Sequence, residues 1–142
     1  MLSAALMAGL AMSGCNKSDP ATGPVTDPNA PITLTSPKGG ETFHVGDTMW
    51  VKWTVKDDPV APIVSVDLQI SADNGKTWGF AKTGSVPVEA PSFGNFPYVV
   101  QATTVGTPQF SLLSSNCLFR VRSYTETNKL SVSPGTFTIL AK

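Results

Sequence analysis

Histidine is nearly absent from this chain, and cysteine and charge are scarce. There is one histidine, two cysteines, and 14% charged residues among 142. One histidine, His44, cannot furnish a multi-histidine metal site, and neither a Ser-His-Asp nor a Cys-His arrangement can be assembled around it from the sequence. A lone imidazole in a short extended segment reads as structural. Ten basic residues balance ten acidic ones without a basic stripe, which argues against nucleic acid as a partner. Amphipathic helical periodicity is also missing. Twelve prolines and twelve glycines with that gap point to an all-β chain. The pattern requires no metal, cofactor or enzyme chemistry. Asp57 and Asp58 read as a solvated loop, because Asp-x-Asp-x-Asp-Gly spacing does not occur.

What is present begins at the N-terminus. Met1 to Met12 is an uncharged, mostly apolar run that closes on Ser13-Gly14-Cys15. It is too short for a bilayer span of about 20 helical residues, and the polar, proline-rich stretch behind it makes a poor continuation for a core helix. The segment resembles a bacterial lipoprotein signal over residues 1–14, with small residues ahead of the cysteine to be acylated. The resemblance implies lipidation of Cys15, hence a chain held to a membrane at a bacterial surface or in the periplasm. Residues 15–31 then form a tether with prolines at 20, 24, 28 and 31 and few apolar side chains. Such a segment cannot bury enough surface to fold, and its prolines favour extension by roughly 3 Å per residue. Cys117 lies in a strand-like run and reads as a buried free thiol. If Cys15 carries no lipid, a Cys15–Cys117 bridge stays open in an oxidising compartment.

Residues 32–142 carry the folded domain. In Thr48–Lys56 strict alternation places Met49, Val51, Trp53 and Val55 on one face and Trp50, Lys52, Thr54 and Lys56 on the other. Val64, Val66, Leu68 and Ile70 alternate with Ser65, Asp67, Gln69 and Ser71. Asn116–Thr125 and Gly135–Leu140 read as further strands, Tyr98–Ala102 and Gln109–Leu113 as weaker ones. Short strands at this spacing predict an all-β, immunoglobulin- or fibronectin-type-III-like β-sandwich of about seven strands. In that arrangement Val64–Ser71 lies beside Asn116–Thr125, with Asp67, Arg120 and Arg122 together on an outer face.

Ser71-Ala72-Asp73-Asn74-Gly75-Lys76-Thr77-Trp78 carries the strongest local signal. Asn74-Gly75 tolerates positive φ, Asp73 is placed to accept turn amides, and Trp78 to cover the turn's apolar side. With Ser71, Asp73, Gly75, Thr77 and Trp78 at fixed spacing it resembles the Asp-box, a hairpin of sialidases, propellers and other secreted β domains. The motif builds a turn and performs no chemistry. A propeller needs several copies, and one is present.

In order, Pro37-Lys38-Gly39-Gly40-Glu41, Gly46 with Val51 and Trp53, Val66 to Trp78, Phe119-Arg120-Val121 and Ser133 to Ile139 resemble the immunoglobulin-like N-terminal domain of Ser/Thr-rich, GPI-anchored yeast cell-wall proteins. The chain looks like a bacterial relative. It departs at Tyr98-Val99-Val100, where a tryptophan is usual, and at Thr103–Ser115, which looks inserted. The resemblance implies a non-enzymatic surface module for adhesion, assembly or scaffolding, with another surface protein as partner. Trp50 supports a second reading: an outward tryptophan is the platform a polysaccharide-binding module needs. Tyr98 and Tyr124 are weaker candidates. Large aromatics are on average highly buried, so a covered Trp50 is the plainer expectation.

Overall fold

A computed structural model describes residues 27, 29–88 and 92–142, without the side chains of Ser92 and Phe93. The signal-like segment, Cys15 and most of the tether lie outside the described residues. Among the described residues there are ten β segments: β1 (Ile32–Ser36), β2 (Thr42–His44), β3 (Thr48–Val55), β4 (Ser65–Ser71), β5 (Gly79–Phe80), β6 (Val86–Pro87), β7 (Ser92–Val99), β8 (Ser114–Ser123), β9 (Leu130–Val132) and β10 (Phe137–Leu140). The smaller sheet has the order β1-β3-β7. The larger runs β2-β10-β8-β4-β5, with β6 also beside β4 and β9 beside β8.

Three strands are broken, and joining their halves gives seven. β1 pairs with β3, but after the turn at residues 37–41 the chain crosses to the other sheet, where β2 runs parallel to β10. β5 and β6 pair with opposite ends of β4. β10 and β9 pair with opposite halves of β8. The result is an immunoglobulin- or fibronectin-III-like sandwich. Its core joins Met49, Val51, Trp53 and Val55 of β3 to Val66, Leu68 and Ile70 of β4, Phe119 and Val121 of β8, and Phe137 and Ile139 of β10.

The Gly-Gly-Glu turn has a packing reason. The Glu41 carboxylate accepts from the Lys38 and Gly39 amides, both at 2.7 Å. Gly135 donates its amide to the Lys38 carbonyl at 2.9 Å, and Gly40 donates to that of Thr136 at 2.8 Å. A Cβ on Gly39, whose φ is +110°, would lie 2.5 Å from the Gly135 Cα. Two backbones meet there with no room for a side chain.

Several expectations need correction. Of the weak strand placed at Tyr98–Ala102 only Tyr98 and Val99 are strand, the end of an eight-residue strand that starts at Ser92. β7 is a sheet edge, where the missing amide of Pro97 is tolerated. Gly94 is required by Trp53: its Cβ would sit 1.7 Å from the Trp53 Cε2. Gln109–Leu113 is not a strand. It belongs to a loop closed by a Thr103–Ser111 bridge and fastened to β5 by a Val105–Phe80 bridge. The strand expected from Val64 begins at Ser65, and Val64 is exposed. Strand β9 carries no signal that the sequence reading used.

Candidate functional site

The outer face of the smaller sheet is the first candidate. On β3 the pattern of burial alternates through the whole strand, so Trp50 points away from the core and is 49% exposed. Across the ladder Trp50 faces Pro97, Lys52 faces Asn95, and Thr48 faces Val99. Pro97, Asn95 and Lys52 are exposed, as is Val99. The face therefore offers one indole with an apolar neighbour and polar groups at its margin. The described residues thus leave Trp50 half exposed, where cover by a loop or the tether was the plainer expectation; most of the tether lies outside them.

The Ser71–Trp78 turn is the second. Asn74 and Gly75 take φ of +58° and +84°. The Ser71 hydroxyl donates to Asp73 Oδ1 at 2.7 Å and accepts the Gly75 amide at 2.9 Å; the Thr77 amide donates to Asp73 Oδ1 at 2.8 Å. The Thr77 amide and then the Ser71 hydroxyl hold the Asp73 carboxyl down at about 2, because both bond to its charged form. The Trp78 indole nitrogen donates to the Gly75 carbonyl at 3.0 Å. Its ring lies 4.2 Å from the Arg120 guanidinium carbon, a cation–π stack. The Ser71 and Asp73 side chains bond within the turn, its Asn74 amide and Ala72 carbonyl bond to Asn116 and Ser114, and the whole holds Trp78 against β8.

That stack belongs to the outer face of the larger sheet. Asp67 pairs with Arg122 and Gln69 with Arg120 in the β4–β8 register. Arg122 donates to Asp67 Oδ2 at 3.0 Å, and Arg120 Nε donates to Gln69 Oε1. Burial, and then Arg122 beside it, lowers the Arg120 pKa. Asp67 and the two arginines share a face, as expected, but the face is not open. Asp67 is only 6% exposed and Gln69 5%.

The remaining candidates settle into structural places. His44 Nδ1 is 3.7 Å from Asp47 Oδ2 in an exposed turn. Asp58 accepts the Val60 and Ala61 amides at 3.0 and 3.1 Å, which lower its pKa. Tyr98 is 2% exposed and packs edge-on against Phe119 at 5.7 Å; burial pushes its hydroxyl up to about 12. Cys117 is a buried free cysteine, its thiol raised by burial to about 11, so it is a protonated packing group at neutral pH. Tyr124, in contrast, is 59% exposed.

No protein-family description matches the chain. No curated protein matches it either. Among solved structures, the fibronectin(III)-like modules of CbhA from Clostridium thermocellum share 20% identity with it, over 78% of this chain and 94% of that one, at a TM-score of 0.35.

Proposed function

We propose that this chain is a non-enzymatic immunoglobulin-like module, anchored by lipid on Cys15 at a bacterial surface or in the periplasm, that works by adhesion, assembly or scaffolding. The observation that carries the reading is the bare outer face of β3, where an exposed Trp50 stands beside Pro97 and Val99. Exposed aromatics of this kind anchor protein contacts, since a rigid indole brings a large contact area with little entropy to lose. The partner in this reading is another surface protein. The Ser13-Gly14-Cys15 sequence and the proline-rich tether support display at a distance from a membrane. Cys15→Ser tests the anchor: the substituted chain leaves the membrane fraction or stays unprocessed. A processed, membrane-bound Cys15→Ser chain overturns it.

A second reading has its own support. Lys52 and Asn95 sit opposite each other, two rungs from the Trp50–Pro97 pair. A flat, solvent-facing ring with hydrogen-bonding groups at its edge suits a pyranose in a cell-wall or environmental polysaccharide. Titrating soluble glucans while following tryptophan fluorescence, with Trp50→Ala as the control, separates the readings. A response that Trp50→Ala abolishes favours the polysaccharide. No response across a broad glycan panel favours the surface protein.

A further inference from the structure

The outer face of the larger sheet holds a pocket that neither reading uses. It has a volume of about 290 Å³ and is lined by Asp67, Phe80, Thr83, Val105 and Tyr124, with Gly84 and Gly106. Its construction explains why Asp67 is buried although β4 alternates. The Val105 amide donates to the Phe80 carbonyl at 2.9 Å and draws the 100–113 segment beside β5. Thr104, fully buried, holds that segment: its hydroxyl donates to the Pro108 carbonyl at 3.1 Å and accepts the Phe110 amide at 3.0 Å. A Cβ on Gly79 would lie 2.7 Å from Thr104 Cγ2 and 2.9 Å from Phe110 Cε1, so the segment packs tightly on β5. Gly84 and Gly106 take φ of +73° and +75°, and a Cβ on either would meet nothing within 4 Å. Two lining positions thus leave open space where side chains would stand.

The chemistry of the lining selects a ligand. Asp67 is nearly buried, and its carboxylate faces the Arg122 guanidinium at 3.0 Å. Arg120, on the same face of β8, adds a further positive charge nearby. The neighbourhood is therefore not acidic, and a cation gains little there. An anion would meet the Asp67 carboxylate. A neutral ligand meets neither objection. Phe80 and Tyr124 give it aromatic surface, while Asp67 accepts hydrogen bonds from hydroxyls in the strong, charge-assisted way. One molecule with an apolar face and a hydroxylated edge is a sugar ring. The volume is at the small end of ligand sites, which run from roughly 300 to 1,000 Å³, and suits one ring rather than a chain of them.

We propose that this pocket binds a single neutral sugar ring, with Asp67 as hydroxyl acceptor and Phe80 and Tyr124 as apolar wall. The ring is either a free monosaccharide or the terminal unit of a glycan. The proposal is independent of the Trp50 face, which lies on the other sheet.

An amide NMR titration of the Cys15→Ser chain tests it. The probes are glucose, galactose, mannose and N-acetylglucosamine, their methyl glycosides, their disaccharides, and tetramethylammonium as a cation control. At least one sugar is expected to shift the Gly84 and Gly106 amides saturably, with a dissociation constant on the order of 1 mM. Tyr124→Ala, at an exposed position, is expected to fold normally and to weaken binding roughly tenfold; Trp50→Ala leaves it unchanged. Binding of the free sugar alone identifies a monosaccharide site, and binding of the methyl glycoside and disaccharide as well identifies a glycan terminus. The proposal is overturned if no sugar shifts these amides saturably, if only tetramethylammonium does, or if Tyr124→Ala binds like the unsubstituted chain.

Discussion

Strands β3 and β4 share one sequence pattern and meet different fates. Both alternate apolar with polar residues. On β3 the polar face is open: Lys52 is exposed and Trp50 stands half in solvent. On β4 every residue from Val66 to Ser71 is buried. The difference comes from elsewhere in the chain. Among the described residues β3 has neighbours within its sheet and in the core. β4 has those and also the Ser71–Trp78 turn and the 100–113 segment beside its outer face. Alternation states which way a side chain points. Whether it reaches water depends on what else folds over that face.

Buried polar groups need partners, and β8 supplies them: Arg122 for Asp67 and Arg120 for Gln69. Arg120 is in turn held by packing on Trp78. The Ser71–Trp78 turn thereby has a purpose beyond reversing the chain. It delivers an aromatic ring to the face that β4 and β8 share.

The largest test of this contrast lies on the inner side of β3. Trp53→Ala removes the largest fully buried side chain and is expected to cost about 3–5 kcal/mol in chemical denaturation. Gly94→Ala should be severe too, because a Cβ there has no room against the Trp53 ring. The two losses should combine to less than their sum, since the clash needs the indole. Additive losses would mean that ring and glycine do not meet.

Next in size is the outer side of β4. A surface pair between strands contributes at most about 1 kcal/mol. Asp67→Ala instead leaves the Arg122 guanidinium largely buried without its partner, and about 2 kcal/mol is expected. A loss below about 0.5 kcal/mol, usual for surface positions, would show that the face is open like that of β3.

Acid gives a smaller effect with a definite sign. Asp73 titrates at about 2 in the folded chain against an ordinary value of 3.8. A depressed folded value means that its stabilisation is complete above about pH 4 and disappears as the pH falls towards 2. Following the Thr77 amide by NMR through that window should give a midpoint near 2, and Asp73→Asn should remove the transition. A midpoint near 4 would mean that the turn's hydrogen bonds are not formed in solution.

How much of this is legible in the sequence divides along the same line. β3, β8 and the Ser71–Trp78 turn could be read because each is specified locally, by alternation or by residues that tolerate positive φ. The adjacency of β4 and β8 followed from sandwich topology and put Asp67 on the face of Arg120 and Arg122; only the structure shows that the register brings it to Arg122. Of β7 only Tyr98 and Val99 were legible, because the reasons that Gly94 and Pro97 fit a strand lie across the sheet and at its edge. β9 is three residues long and means little without β8. The 100–113 segment pairs through isolated bridges, which leave no periodicity, so the pocket it helps to form had no local signal. Trp50 was readable in direction, and only the fold could say that it stays uncovered.

The smallest effect on stability is at Trp50. Trp50→Ala should change the unfolding free energy by no more than about 0.5 kcal/mol, and a cost near that of Trp53→Ala would mean that the face is packed. That tolerance makes the functional test clean. The most direct measurement is binding of the soluble Cys15→Ser chain to isolated bacterial envelope, compared with the same chain carrying Trp50→Ala. If the bare face of β3 is the working surface, Trp50→Ala weakens binding roughly tenfold or more, and protease or glycosidase treatment of the envelope shows whether protein or polysaccharide is recognised. Equal binding by the two chains would contradict the account.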